Sequence, residues 1–369
     1  MNTSTTTDRR TFLKQGAVGL GTLGLMAATS PLFAREDEQP LGVALVGLGY
    51  YAIQKLAVGL QHTKYCQLRG LVTGTPEKAK KYGKEFNIPE KNIYNYDTFD
   101  DIKNNPDIDI VYVVLPNALH AEYVIRAAKA GKHVMCEKPF DISVKKCEEA
   151  VKACKKAGKL LQIGYRCQYD PYHQELMRLG QKKVMGDVKL IRTGHSFYGV
   201  HNDNWRFTDA SLSGGGPLMD VGIYCIQGCR YTLGQNPIAV EARTYKTFKD
   251  KMPGMEETIM WHMEFEGGAV ANCTSSYVSR ENFIHVSAEN GNFGLEPCYG
   301  YDGAQGSARK HQLNFSTRNQ QAAQMDAFAR NILDDTPVIA SGEDGLIDMQ
   351  IVEAIYESAK AKTRVEIKY

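Results

Sequence analysis

Between residues 43 and 164, short apolar runs alternate with longer stretches in which apolar residues recur at helical spacing. The runs at 43–46, 68–72, 110–114, 133–136 and 160–164 predict strands. Their unbroken apolar character, clearest in Ile110-Val111-Tyr112-Val113-Val114, implies burial on both sheet faces. The stretches at 53–60, 75–86, 118–130 and 143–157 predict helices. Thr75-Pro76 supplies a cap and a first-turn proline, and Gly131 closes the helix that begins at Ala118. This alternation predicts a doubly wound parallel sheet, an α/β Rossmann architecture.

After Arg166 the pattern changes. Residues 188–195, 239–247, 257–265, 269–277 and 283–289 alternate polar and apolar positions, with Gly267-Gly268 as a hairpin signal between two of them. Helices are expected at 320–333 and 344–361. The prediction is a C-terminal α+β domain with an open, mainly antiparallel sheet and helices on one face. The expected division is a leader over 1–34, a dinucleotide-binding domain over 35–165, and a substrate and oligomerisation domain over 166–369. The last helix is expected to pack back toward the first domain.

Thr7-Asp8-Arg9-Arg10-Thr11-Phe12-Leu13-Lys14 precedes an uncharged stretch from Gln15 to Ala34 that contains four glycines. That is the pattern of a twin-arginine export signal, too glycine-rich for a good membrane span. It predicts a periplasmic protein that crosses the membrane folded, with the twin-arginine machinery as a partner. Without residues 1–34 the chain carries 41 basic and 41 acidic residues, a net charge of zero that argues against nucleic acid as a partner. The remaining length exceeds the roughly 250–300 residues at which single cores stop growing, which favours two domains. The nine cysteines show no framework or finger spacing, so they read as buried small hydrophobes with no metal site.

Gly47-Leu48-Gly49-Tyr50-Tyr51-Ala52 follows a strand and opens a helix, which is the context a dinucleotide-binding turn requires. Gly47 suits the tight turn, and Gly49 lets the backbone approach a pyrophosphate at the helix N-terminus. At the end of the next strand, an NAD-selective site places a carboxylate for the ribose hydroxyl. This chain has Thr73 there and Lys78 in the following helical turn, a pair suited to the 2′-phosphate of NADP. Lys138, in Cys136-Glu137-Lys138-Pro139, lies at the carboxyl end of a predicted strand, where ligands of such sheets bind. Pro217 starts a helix that would put Asp220 and Tyr224 one turn apart on one face.

The runs LPNALHAE at 115–122, GKHVMCEKP at 131–139, IGYRCQYDP at 163–171 and GGGPLMDVGIY at 214–224 resemble the Gfo/Idh/MocA oxidoreductases, most nearly the glucose–fructose oxidoreductase branch. The resemblance implies that Lys138 and Tyr224 are catalytic and that Asp220 supports them. A free tyrosine titrates near ~10, so Tyr224 needs a neighbouring cation to act as a base, a role expected of Lys138. The resemblance also implies cofactor or pocket contacts from Leu115, Pro116, Asn117, His120, Tyr96, Glu137, Arg166, Trp205, Arg206 and Tyr301. Trp205-Arg206 equally suits a structural cation–π pair, and His120 a satisfied loop histidine.

The implied activity is hydride transfer between an aldose C1 hydroxyl and tightly bound NADP, with a second carbonyl sugar as reoxidant. The protein would act as a dimer or tetramer built through its C-terminal sheet. Three alternatives stay open: a sugar dehydrogenase with exchangeable NAD(P), an NAD-dependent glycosidase, and a non-enzymatic dinucleotide sensor. Two departures bear on this. The branch's long cofactor-clasping arm has no counterpart in the short stretch 35–40, and its basic residues after the tryptophan–arginine pair are replaced by Thr208-Asp209-Ala210.

Overall fold

The structure, a computed structural model, describes residues 39–316 and 318–369. The export signal expected at 1–34 lies outside the described residues. Residues 39–369 form one compact unit holding two sheets.

The first sheet contains β1 (Leu41–Val46), β2 (Cys66–Val72), β3 (Ile93–Tyr94), β4 (Ile110–Val113), β5 (His133–Cys136) and β6 (Leu161–Ile163). All pairs are parallel, in the order β3-β2-β1-β4-β5-β6. The chain therefore winds one way from β1 to β3 and the other way from β4 to β6. That reversal leaves a crevice at the carboxyl ends of β1 and β4. The apolar runs behave as their composition requires: every residue of β4 is buried, as are Val134, Met135 and Cys136 of β5. Only β3 has no counterpart in the sequence pattern, because two residues carry no periodicity.

The second sheet has nine strands: β7 (Val188–Ser196), β8 (Pro237–Tyr245), β9 (Thr258–Phe265), β10 (Val270–Ser276), β11 (Glu281–Ala288), β12 (Gly291–Leu295), β13 (Gly306–Ala308), β14 (His311–Gln312) and β15 (Val365–Glu366). It is mixed rather than wholly antiparallel, because β10 runs parallel to β7 at the centre while the other pairs are antiparallel. One face is covered by the helix Ile223–Leu233 and by Gly342–Ala361, which packs against both β8 and the helix Val144–Ala157 of the first sheet's layer. A buried cluster ties these helices down. Arg230 pairs with Asp344 at 2.8 Å and with Asp348, and the Tyr231 hydroxyl donates to Asp344. All nine cysteines are buried and unbridged. Among the described residues no helix is long and apolar enough to cross a membrane.

Candidate active site

A cleft of about 790 Å³ opens at the carboxyl ends of β1, β2, β4 and β5 and is closed on its far side by the helical layer of the second sheet. The glycine turn forms one wall. Gly47 has φ +91°, and a Cβ there would stand 2.5 Å from the Val114 carbonyl oxygen, so only glycine fits where β1 meets β4. At Gly49 a Cβ would meet nothing within 4 Å. That bare backbone, facing the cleft beside the N-terminus of the following helix, is the cradle a pyrophosphate needs. The helix opens with a wide π-type turn, Ala52–Ala57, before continuing as α-helix.

The end of β2 carries Thr73, with Lys78 above it. Lys78 Nζ donates to the Leu48 carbonyl at 3.2 Å, which holds the amine over the glycine turn. Among the described residues the only carboxylates lining the cleft, Glu137 and Asp220, belong to the end of β5 and to the second sheet's helix. A hydroxyl and an ammonium therefore line the cleft at the end of β2, where a sheet of this kind would receive an adenosine ribose, with both carboxylates elsewhere. The residues present fit a dinucleotide.

The opposite end holds the ionisable groups. Lys138 Nζ donates to the Asp220 carbonyl at 2.6 Å, lies 3.8 Å from Asp220 Oδ1 and stands 4.7 Å from the centre of the Tyr224 ring. Burial holds the Lys138 amine below its ordinary range, with Asp220 opposing. Asp220 also lies 3.4 Å from Arg206 Nε and accepts from the Tyr277 hydroxyl at 3.0 Å. Burial alone would raise the Asp220 carboxyl, but Arg206, Lys138 and Tyr277 outweigh it and keep it below the usual carboxylate range. Burial pushes the Tyr224 phenol up, against the pull of Arg166. Asp220 and Tyr224 both line the cleft, although a π-type turn, Leu218–Gly222, separates them in place of the single α-helical turn expected.

Supporting residues set these groups in place. Glu256 accepts from the Gly216 and Leu218 amides at 3.0 and 3.1 Å and from the Tyr356 hydroxyl at 3.0 Å, which locks the glycine turn before the helix. Glu137 is buried and accepts from the Tyr112 hydroxyl at 2.7 Å. Burial still raises its carboxyl above the ordinary range. His120 bridges two site loops, with Nδ1 2.8 Å from the Pro139 carbonyl and Nε2 2.8 Å from the Leu115 carbonyl; burial lowers it to about 4. Asn117 Nδ2 donates to the Ser213 carbonyl at 2.8 Å, joining the first sheet's loop to the second layer.

Of the candidate residues named from the sequence, Arg166 alone does not line the cleft. Its guanidinium is buried behind Tyr224 and Tyr301, held by backbone carbonyls. Trp205 and Arg206 do line it, and they also form the cation–π pair, with Cζ 5.0 Å from the ring centre. Gly74, Thr75, Val114 and Asn204 line the cleft too, although no sequence motif marks them as site residues. Asn204 is legible as a helix cap, since its side chain accepts from the Arg206 amide. Tyr277 and Glu256 carry no signal, because they reach the site from the segments just after β10 and just before β9.

Comparison with known proteins agrees with this geometry. Residues 41–165 match the family model described as "Oxidoreductase family, NAD-binding Rossmann fold", and residues 173–293 match the "GFO/IDH/MocA C-terminal domain". The chain belongs to the Gfo/Idh/MocA oxidoreductase family. Among relatives of this family, D-xylose 1-dehydrogenase [NADP(+)] of Haloarcula marismortui is 27% identical over 341 residues, covering 89% of this chain and 94% of that one. D-glucoside 3-dehydrogenase of Escherichia coli is 27% identical over 364 residues, covering 89% and 98%. Among solved structures, aldose-aldose oxidoreductase from Caulobacter crescentus, complexed with glycerol, is 39% identical, with a TM-score of 0.87 over 89% of this chain and 100% of that one.

Proposed function

We propose that the protein is an exported, NADP-dependent sugar oxidoreductase that oxidises an aldose at C1 and returns the hydride to a second carbonyl sugar. The observation that carries this is the division of the cleft: Thr73 and Lys78 at one end, Lys138, Asp220 and Tyr224 at the other, with the bare Gly49 backbone between. When bound, the nicotinamide supplies a hydride acceptor at C4 and, once reduced, a hydride donor. Lys138 binds the sugar hydroxyl, Asp220 holds Lys138 in place, and Tyr224 takes the hydroxyl proton as the carbonyl forms. In the return half-reaction Tyr224 gives that proton to the new alkoxide. Support for sugars and for NADP comes from the likeness to aldose-aldose oxidoreductase and to the NADP-dependent xylose dehydrogenase.

The twin-arginine pattern supports periplasmic export, and the envelope's lack of free nicotinamide then requires the cofactor to be retained. A second reading, a dehydrogenase with exchangeable cofactor, is favoured by the short stretch 35–40, which offers no counterpart to the branch's cofactor-clasping arm. The two separate on the nucleotide content of purified protein. Stoichiometric NADP(H) in the supernatant after denaturation supports half-reactions on a retained cofactor. Nucleotide-free protein that reduces added NADP supports the exchangeable form.

A further inference from the structure

Arg166 is a buried cation without a carboxylate partner among the described residues. It is 2% exposed. Its Nη1 donates to the Gly300 carbonyl at 2.8 Å and to Gln320 Oε1, and its Nη2 donates to the Tyr299 carbonyl at 2.6 Å. Its Nε has no partner among the described residues. The guanidinium lies 5.0 Å from the centre of the Tyr224 ring and 4.5 Å from that of Tyr301. Carbonyl dipoles and ring faces reduce the cost of burying this charge but supply no net negative charge to balance it.

The other charged groups around Tyr224 are already engaged. Lys138 and Arg206 share Asp220 as counter-ion, and Glu137 is held by Tyr112. The remaining titratable neighbours are Cys167, whose thiol is held below its ordinary value by His173 and Arg166 despite burial, and the hydroxyls of Tyr51, Tyr299 and Tyr301. His195 meets the Tyr224 ring edge-on at 5.2 Å, and burial lowers it to about 3, so it stands neutral. Among the described residues, Arg166 is thus the one cation beside Tyr224 that forms no ion pair with a carboxylate, Glu137 acting on it only at longer range.

We propose that Arg166 is the positioning residue that makes Tyr224 a base, its fixed charge stabilising the phenolate that receives the substrate proton. The inference rests on the aldose-oxidation reading above. It moves to Arg166 a role that the sequence pattern suggested for Lys138, and it separates Arg166 from cofactor binding. Among the influences on the Tyr224 phenol, Arg166 is the strongest that opposes burial. The balance is simple: the sugar O–H bond breaks, the phenolate becomes phenol, and the C1–H bond gives its hydride to the nicotinamide that the cleft would hold as the C1 carbonyl forms.

The test compares wild type, Arg166→Gln and Arg166→Lys in the full chain, with D-xylose and D-glucose as probes. It reads the pH profile of kcat/KM, NADPH affinity by fluorescence titration, and thermal melting. Arg166→Gln is expected to raise the acid limb by about one unit or more, a roughly tenfold loss at neutral pH. NADPH affinity should stay within about threefold, since Arg166 does not line the cleft. Arg166→Lys, which keeps the charge, should hold the limb near its wild-type position. An unmoved limb in Arg166→Gln, or a tenfold loss of NADPH affinity, overturns the proposal. If the Gln variant melts too low to assay, the Lys variant decides: folded but inactive protein overturns it, and a near-wild-type limb upholds it. Wild-type protein that oxidises neither probe nor any other aldose would instead overturn the function on which the proposal rests.

Discussion

Cofactor choice in this cleft turns on two side chains. A carboxylate in place of Thr73 would repel a 2′-phosphate and accept a hydrogen bond from a 2′-hydroxyl. Thr73→Asp with Lys78→Ala is therefore expected to weaken NADP binding and favour NAD. The expected swing in relative affinity is about tenfold or more, because two charge-assisted hydrogen bonds disappear and one repulsion is added. Isothermal titration with both nucleotides checks it; an unchanged ratio would mean that neither residue meets the phosphate. At this scale most of the candidate site is legible in the sequence. Gly47, Thr73 and Lys138 announce themselves by sitting at a turn or a strand end, whereas Asp220 and Tyr224 are singled out as site residues by the family resemblance. The guanidinium of Arg166 does not, because a sequence motif shows that an arginine is present but not which way it faces.

The helix that bears Asp220 and Tyr224 depends on its entry turn. Gly216 fits so tightly that a Cβ would lie 2.1 Å from the Glu256 carbonyl oxygen, and the Glu256 carboxylate takes up two of the helix's leading amides. Glu256→Ala leaves those buried donors and the Tyr356 hydroxyl without partners, at a cost of about 2–4 kcal/mol. The expected outcome is a lower melting temperature together with a fall in kcat, since Asp220 and Tyr224 ride on this helix. Unchanged values of both would show that the turn holds without its carboxylate. The elements themselves are legible where periodicity is strong, as at β4 and the two late helices. Several features escape it: the short strands β3 and β12 to β15 and the helix Pro171–Gln181, the parallel β10–β7 pair, which alternates like an antiparallel one, and the π-type turn before Tyr224. Pairing direction and helical pitch are decided by tertiary packing and leave no mark on local spacing.

For the whole molecule, fully and partly buried histidines contribute to the response to acid. Burial lowers His120 and His133 to about 4 and His195 to about 3, from an ordinary 6.5. Because these folded-state values are depressed, the stability they contribute is full above pH 6.5 and is lost as pH falls toward 4. Despite its burial, His173 is held well above its ordinary value by Cys167, Cys298 and Asp170, so it titrates above this interval; within it the Asp348 carboxyl, raised by burial to about 6, partly opposes the histidines. The melting temperature should therefore fall continuously over that interval, and a flat profile would contradict it. Function at this scale comes down to whether Tyr224, beside Lys138 and Asp220, moves the proton in aldose oxidation on NADP. A single-turnover experiment decides it: protein loaded with one equivalent of NADP is mixed with an aldose, and the near-ultraviolet absorbance of reduced nicotinamide is followed. Wild type should show a burst that decays when a second carbonyl sugar is added, while Tyr224→Phe binds the cofactor equally and shows none. No burst from wild type with any aldose, or a full burst from Tyr224→Phe, would contradict that role.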